Sequence, residues 1–397
     1  MNVTERSEEQ EKIPMPLTCE SAAINECRAC WIYTFYESII FAMPPTKGPF
    51  PFLNPPSGSD HPMKTAMFQE RRPEDKVQCS LCCHRCLIPP GRRGICAVRE
   101  NRDGILYSLV YDKVIARNID PIEKKPLFHF LPGSLSYSVA TPGCNFRCKH
   151  CQNADISQLP QDRSGLVLGE DIHPGALVEA ARRNRCASIS YTYTEPTIYF
   201  ELAYDTARLA AEAGLKNVFV SNGYITPEAL QVIRPYLHAA NIDLKGFRDD
   251  FYRKVCGAKL QPVLDAIRLY KEFGIWIEIT TLVIPGHNDS DEELTGIARF
   301  IRSVGADIPW HVSRFHPTYK LLDEPPTPVA TLKRARQIGL DAGLRYVYEG
   351  NVPGEGEDTL CWSCKETLIE RVGFSVGANS IENGKCRHCG AVIDGVW

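Results

Sequence analysis

A chain of 397 residues with 45 basic against 48 acidic side chains, a formal charge of −3, is long enough for two or three domains. It gives no bulk electrostatic reason to hold nucleic acid or an anionic membrane surface. Its 17 cysteines gather in short C-x-x-C and C-x-x-x-C groups, the spacing of metal ligands rather than of a disulfide framework, which favours a reducing, cytoplasmic compartment.

Residues 1–62 read as an extension with doubtful order. Glu5, Glu8, Glu9 and Glu11 stand where an export signal would carry basic residues and an apolar core. An apolar stretch over 31–43 follows, then a Pro/Gly-rich connector over 44–62. The apolar stretch is shorter than the roughly 20 residues that cross a bilayer, and it contains Glu37. It reads as a buried or docking segment, and no membrane span is expected. Cys19, Cys27 and Cys30 lack an obvious fourth ligand and read as incidental thiols.

A cysteine-rich module is expected over 63–131. Cys79, Cys82, Cys86 and Cys96 are its candidate metal ligands, with Cys83 and His84 alongside, and 105–111 reads as strand. Zinc would make the site a fold staple, whereas iron and sulfur would make it an auxiliary electron-transfer cluster. Spacing leaves both open.

From Ser136 onward, short β-branched or aromatic runs alternate with helical patterns, the signature of βα units around a parallel sheet. Six strands are predicted, over 136–141, 188–194, 217–221, 240–244, 276–284 and 310–315, with amphipathic helices such as 198–213 and 291–304 between them. The fold class is α/β: a partial (β/α)6 barrel over 132–350 with small cysteine-rich metal modules at both ends. In such barrels the loops after the strand C-termini build the active site.

Cys144, Cys148 and Cys151 lie on the loop after the first of these strands. Three thiolates suit a four-iron cluster with one iron left open to bind substrate or cofactor, whereas four usually serve electron transfer. The alternative is a zinc knuckle completed by His150. Phe146, just ahead of Cys148, suits shielding of a cluster from water.

On these residues, 136–316 resembles the radical SAM superfamily, especially the activases of glycyl-radical enzymes such as pyruvate formate-lyase. Over 63–349 the chain resembles more closely the radical SAM protein of the AmmeMemoRadiSam system. The marks are Cys79-Ser-Leu-Cys82 through Arg93-Gly-Ile-Cys96, Val98-Arg-Glu-Asn-Arg-Asp-Gly104, and Asp120-Pro-Ile-Glu-Lys-Lys-Pro126. The resemblance implies a 4Fe-4S cluster whose open iron is chelated by S-adenosylmethionine (SAM). It further implies one electron from a reduced donor, a 5′-deoxyadenosyl radical, and hydrogen abstraction from an unidentified substrate, a partner protein among the candidates. AMMECR1-like and Memo-like proteins are the partners that the family suggests.

The same resemblance marks residues toward SAM. Glu195, in Tyr191-Thr-Tyr-Thr-Glu-Pro196, stands where relatives carry a Gly-Gly-Glu segment facing the SAM amine; Pro196 equally suits Glu195 as a helix cap. Asn222 of Ser221-Asn-Gly223 could offer an amide to the cofactor, with an ordinary turn as the alternative. Asp243 and Lys245 share one side of the fourth strand, to bind ligand or to pair with each other. Glu278 shares a face with Thr280, where the activases carry an arginine. His316, after the sixth strand, aligns with an activase histidine.

A glycine-rich hinge over 350–356 leads to a last module over 357–397. There Cys361-x-x-Cys364 and Cys386-x-x-Cys389, separated by 21 residues, have zinc-ribbon spacing, with iron as the rival metal. Cys186 and Cys256 read as buried thiols. The competing reading of the whole chain is a noncatalytic multi-zinc binding module.

Overall fold

A computed structural model describes residues 63–397, apart from 353 and 355. The apolar stretch over 31–43 and Cys19, Cys27 and Cys30 lie outside the described residues.

One eight-stranded sheet organises the structure. Its strands are β1 (Ala116–Pro121), β2 (Leu135–Ala140), β3 (Ser188–Tyr191), β4 (Lys216–Ser221), β5 (Ala239–Asp243), β6 (Trp276–Val283), β7 (Trp310–Arg314) and β8 (Val347–Gly350). They neighbour one another in sequence order, and β2 through β8 all run parallel. β1 is antiparallel to β2. Among the described residues the edges β1 and β8 do not pair with each other, so the barrel stays open.

Six helices link the parallel strands in turn: α1 (Pro174–Arg183), α2 (Phe200–Glu212), α3 (Pro227–Ile233), α4 (Leu260–Glu272), α5 (Asp291–Val304) and α6 (Val329–Asp341). Short β-branched or aromatic runs between amphipathic helices mark parallel strands, and the six predicted strands coincide with β2 through β7. Two differences have local causes. The second predicted strand ends at Tyr191 rather than at Thr194, because Tyr193 takes a left-handed φ of 61°. β8 is an additional strand, short and running straight into the glycine-rich hinge, which masked it.

The N-terminal module combines a three-stranded antiparallel sheet (Gln69–Arg71, Val77–Cys79, Leu87–Ile88) with a hairpin of Arg99–Arg102 and Ile105–Ser108. Asp103 and Gly104, both at positive φ, close that hairpin, as a two-residue turn matched to strand twist requires. The module sits at the C-terminal rim of the barrel. Cys83 N donates to Tyr224 O (2.9 Å), and Thr226, which caps α3, donates its hydroxyl to Ser80 O (2.8 Å).

Arg99 and Glu201 lock this contact. Both are nearly fully buried, at 2.9 Å, in an ion pair between the hairpin and the first turn of α2.

The C-terminal module packs at the opposite end, beneath the strand N-termini. Leu131 N donates to Val396 O and Val396 N to His129 O, both 2.7 Å, while Arg345 reaches Asp394 at 2.7 Å. Arg371 donates to Phe128 O (2.8 Å) and lies over the Phe128 ring. No helix among the described residues is long and apolar enough to cross a membrane.

Candidate cofactor site

The loop after β2 turns sharply at Gly143, whose φ is 105° and whose missing Cβ would lie 2.8 Å from Val98 Cγ1; a side chain there would be strained and would force Val98 of the N-terminal module to shift. Cys144, Cys148 and Cys151 follow. Gly143 N donates to Ile156 O (3.1 Å), Arg147 N to Cys256 O (2.8 Å) and Lys149 N to Val255 O (3.0 Å). The loop is thereby laid along the π-helical turn Tyr252–Cys256.

Each thiol has its own surroundings. Cys144 accepts from Phe146 N (3.3 Å) and faces Asn222 Nδ2 at 3.8 Å; burial, then the nearby Glu195 charge, pushes its pKa well above the ordinary thiol value. Cys151 touches Ser157 Oγ at 3.1 Å and is also raised by burial. Cys148 goes the other way. A hydrogen bond from the Cys256 thiol lowers it against burial, and Lys245 adds to the effect. Three buried polar atoms on this loop, Thr141 Oγ1, Asn145 Nδ2 and His150 Nδ1, have no partner. Buried polar atoms left unpaired call for a partner, and a cofactor held by these thiols would stand where it could supply one.

Cys256 is the residue that sequence reasoning missed. Its sulfur lies within 4.8 Å of ligand atoms of both Cys148 and His150, and all three residues are buried. No local pattern announces this, since the contact arises from backbone pairing between segments far apart in sequence.

The residues marked toward SAM divide into four groups. Asn222, Asp243 and Lys245 lie beside the thiols. Asn222 Nδ2 donates to Asn145 Oδ1 (2.7 Å) next to Cys144. Lys245 pairs with Asp243 at 2.8 Å; burial alone would lower the lysine pKa, yet Asp243 and Cys148 together raise it well above the usual value.

Glu195 sits nearby but is occupied. Its Oε1 accepts from Thr197 N, Thr197 Oγ1 and Ser221 Oγ, and its Oε2 from Asn222 N. It caps the short helix Pro196–Tyr199 and joins the ends of β3 and β4. The capping alternative is therefore the observed arrangement, and Glu195 acts on the site through the Asn222 backbone. Burial raises its pKa.

Glu278 lies away from the rim, a correction to its expected place. Early in β6, it accepts from Phe128 N (3.0 Å), His129 N (2.7 Å) and Trp276 Nε1 (3.1 Å) and meets His311 Nε2 at 2.7 Å. Residues early in a strand face the N-terminal end, where the Phe128 and His129 amides and the His311 ring need a buried acceptor. His316, by contrast, is half-buried just beyond β7, and burial lowers its pKa.

In the C-terminal module Cys361 and Cys389 sulfurs are 3.7 Å apart, Cys364 and Cys386 sulfurs 3.8 Å, and all four lie within 4.8 Å of one another. A tetrahedral ion at about 2.3 Å from each sulfur requires separations of about 3.8 Å. The four thiols fit one ion.

An open βα barrel with three thiols on the loop after its first parallel strand, Cys148 buried and Cys144 and Cys151 partly so, defines a class of cofactor-dependent barrel proteins. Residues 138–298 match the family model of the Radical SAM superfamily. The chain is 49% identical over 336 residues to uncharacterized protein MJ0808 of Methanocaldococcus jannaschii, covering 84% of this chain and 99% of that one. It is 22% identical over 179 residues to the pyruvate formate-lyase-activating enzyme of Streptococcus mutans, covering 44% and 68%. Among solved structures, a radical SAM methyltransferase from Sphaerobacter thermophilus aligns with a TM-score of 0.44 at 18% identity, over 55% of this chain and 67% of that one.

The chain belongs to the radical SAM superfamily. Membership implies an enzyme that uses a 4Fe-4S cluster and SAM.

Proposed function

We propose that Cys144, Cys148 and Cys151 hold three irons of a 4Fe-4S cluster and that SAM binds the fourth, making the protein a radical enzyme. When bound, the cluster and SAM supply a 5′-deoxyadenosyl radical by one-electron reductive cleavage. The observation that carries this reading is the three-thiol loop with unpaired buried polar groups of its own and Asn222, Asp243 and Lys245 around it.

The chain's own groups have separate tasks. Phe146 N, Asn222 Nδ2 and the Cys256 thiol address ligand sulfurs and so tune the potential of what they hold. Lys245 and Asp243 place a cation and an anion beside the loop, suited to the carboxylate and amine of SAM. Glu195 fixes the backbone at Asn222. His316 stands at the far side of the rim as a further contact for SAM.

The open side of the barrel suits a sizeable substrate, and the resemblance to the AmmeMemoRadiSam protein favours a partner protein, AMMECR1-like or Memo-like, as substrate or co-factor of the reaction. Activation of a glycyl-radical enzyme is the version suggested by the activating-enzyme relatives. In the C-terminal module the four thiolates hold structural zinc.

Anaerobic reconstitution with iron and sulfide tests the reading. Reductant-dependent 5′-deoxyadenosine is expected from the native chain and background levels from Cys148→Ala. Undiminished product from that variant sinks the mechanism. Zinc at every site, without SAM cleavage, would instead establish the multi-zinc binding module.

A further inference from the structure

The three cysteine sites differ in the spacing of their sulfurs. Only the C-terminal four are drawn together as a single ion demands, at 3.7 and 3.8 Å. Among the described residues, no three of Cys79, Cys82, Cys86 and Cys96 have sulfurs within 4.8 Å of one another, and neither do Cys144, Cys148 and Cys151 as a set. Thiolates that ligate a cubane stand farther apart than those around one ion, because each binds a different iron.

Yet the N-terminal four do converge. Cys79 N donates to Cys86 O (2.8 Å), closing the loop between them, and Cys86 Sγ packs beside Gly94, two residues before Cys96, 3.7 Å from where a Cβ would stand. Cys79 and Cys96 are buried, and Cys82 and Cys86 are partly buried. All four are free thiols. Beside Cys79 and Cys96 lies the Arg99 guanidinium, 2% exposed, whose Nε has no partner. A buried N–H without an acceptor is costly, and the sulfur atoms of a cluster would supply one.

We propose that Cys79, Cys82, Cys86 and Cys96 bind a second, fully ligated 4Fe-4S cluster, and that it delivers the electron used at the Cys144, Cys148 and Cys151 loop. Four protein thiolates leave no open iron, which suits electron transfer rather than SAM binding. The two sites adjoin. Gln161 Nε2 donates to Cys96 O at 3.4 Å and to Cys144 O at 3.0 Å, and His84 Nε2 meets Asn145 O at 2.8 Å.

In the transfer, one electron enters from a low-potential protein donor such as a reduced flavodoxin. It reduces the N-terminal cluster, then leaves it for the open cluster, so the relay returns oxidised and no atoms move. The site stands without the radical chemistry, whereas the relay role rests on the function proposed above.

The experiment removes the open site and asks whether iron stays. The full chain with Cys144, Cys148 and Cys151 all changed to Ala is reconstituted anaerobically with iron and sulfide. About four irons per chain and a dithionite-dependent 4Fe-4S paramagnetic signal are expected, both lost when Cys82→Ser is added. Zinc in the N-terminal module and no iron in the triple variant would overturn the site. The native chain gives a check that needs no substitution: about eight irons supports the proposal, and about four refutes it.

For the relay, Cys82→Ser alone is expected to slow flavodoxin-driven 5′-deoxyadenosine formation at least tenfold with SAM binding intact. An unchanged rate removes the role. Iron retained in the triple variant while the native chain cleaves no SAM would uphold the site and reject the radical reading.

Discussion

The two flanking modules use the same currency, four cysteines in short repeats, and the barrel places them at opposite ends. The C-terminal four sit beneath the strand N-termini, close-packed and tied to Phe128, His129 and Tyr346. The N-terminal four sit at the rim, spread apart, sharing Gln161 with the Cys144 loop. Position in a βα barrel separates stability from chemistry. The base module reads as a staple, and the rim module as part of the working site.

The largest expected effect attacks the staple. Cys386→Ser is predicted to release one metal ion per chain and to abolish hydrogen-exchange protection over 357–397. Structural zinc in small domains contributes on the order of 10 kcal/mol of folding free energy. SAM cleavage by the rest of the chain should persist; its loss would break the contrast between base and rim.

Next comes the lock at the rim. Arg99→Ala leaves Glu201 charged and buried, at a cost of about 3–5 kcal/mol, read by urea unfolding. The double variant Arg99→Met with Glu201→Leu should recover most of that loss. If the single variant is neutral, the module is not held by this pair.

A smaller effect is acid sensitivity at the base. Burial holds the His129 pKa down to about 4, below its ordinary value of 6.5. Nδ1 meets Asp394 O at 2.6 Å and Nε2 meets Tyr348 Oη at 2.5 Å, as suits a neutral ring. Between pH 6.5 and 4 the unfolded chain binds this proton and the folded one does not, so stability rises with pH across that window and falls on acidification. From pH 7 to 5 the loss from this one group is about 2 kcal/mol. Unfolding midpoints at the two pH values, for the native chain and for His129→Gln, measure it; an equal slope in both would exclude His129 as the source.

The smallest concerns Cys256. Loss of a hydrogen bond worth about 1 kcal/mol to a ligand sulfur lowers the midpoint potential by about 40 mV for one electron. Redox titration of Cys256→Ala followed by electron paramagnetic resonance checks the shift. A potential equal to the native one would show that Cys256 only fills space.

Much of this was legible along the chain for a physical reason. Parallel strands show as short β-branched or aromatic runs between amphipathic helices, and β2 through β7 were readable as such. The loop of Cys144, Cys148 and Cys151 was readable because its ligands are local. Glu278 was not. As a buried acidic residue on a strand it looks the same whether it serves ligand or fold, and only its four neighbours, gathered from three segments, show which. Glu195 carried both readings in Glu195-Pro196, and the donors of Thr197, Ser221 and Asn222 decided for the cap.

The sequence by itself determined the α/β barrel, the three-thiol loop and the presence of two four-cysteine modules, because those follow from periodicity and from ligands near one another in the chain. Tertiary structure alone decided which module meets the rim, which carboxylates are already occupied, that Cys256 stands behind Cys148, and how far apart each set of sulfurs lies. Spacing in sequence limits which thiols can share a site. The folded backbone sets the distance between them, and that distance separates one ion from a cluster.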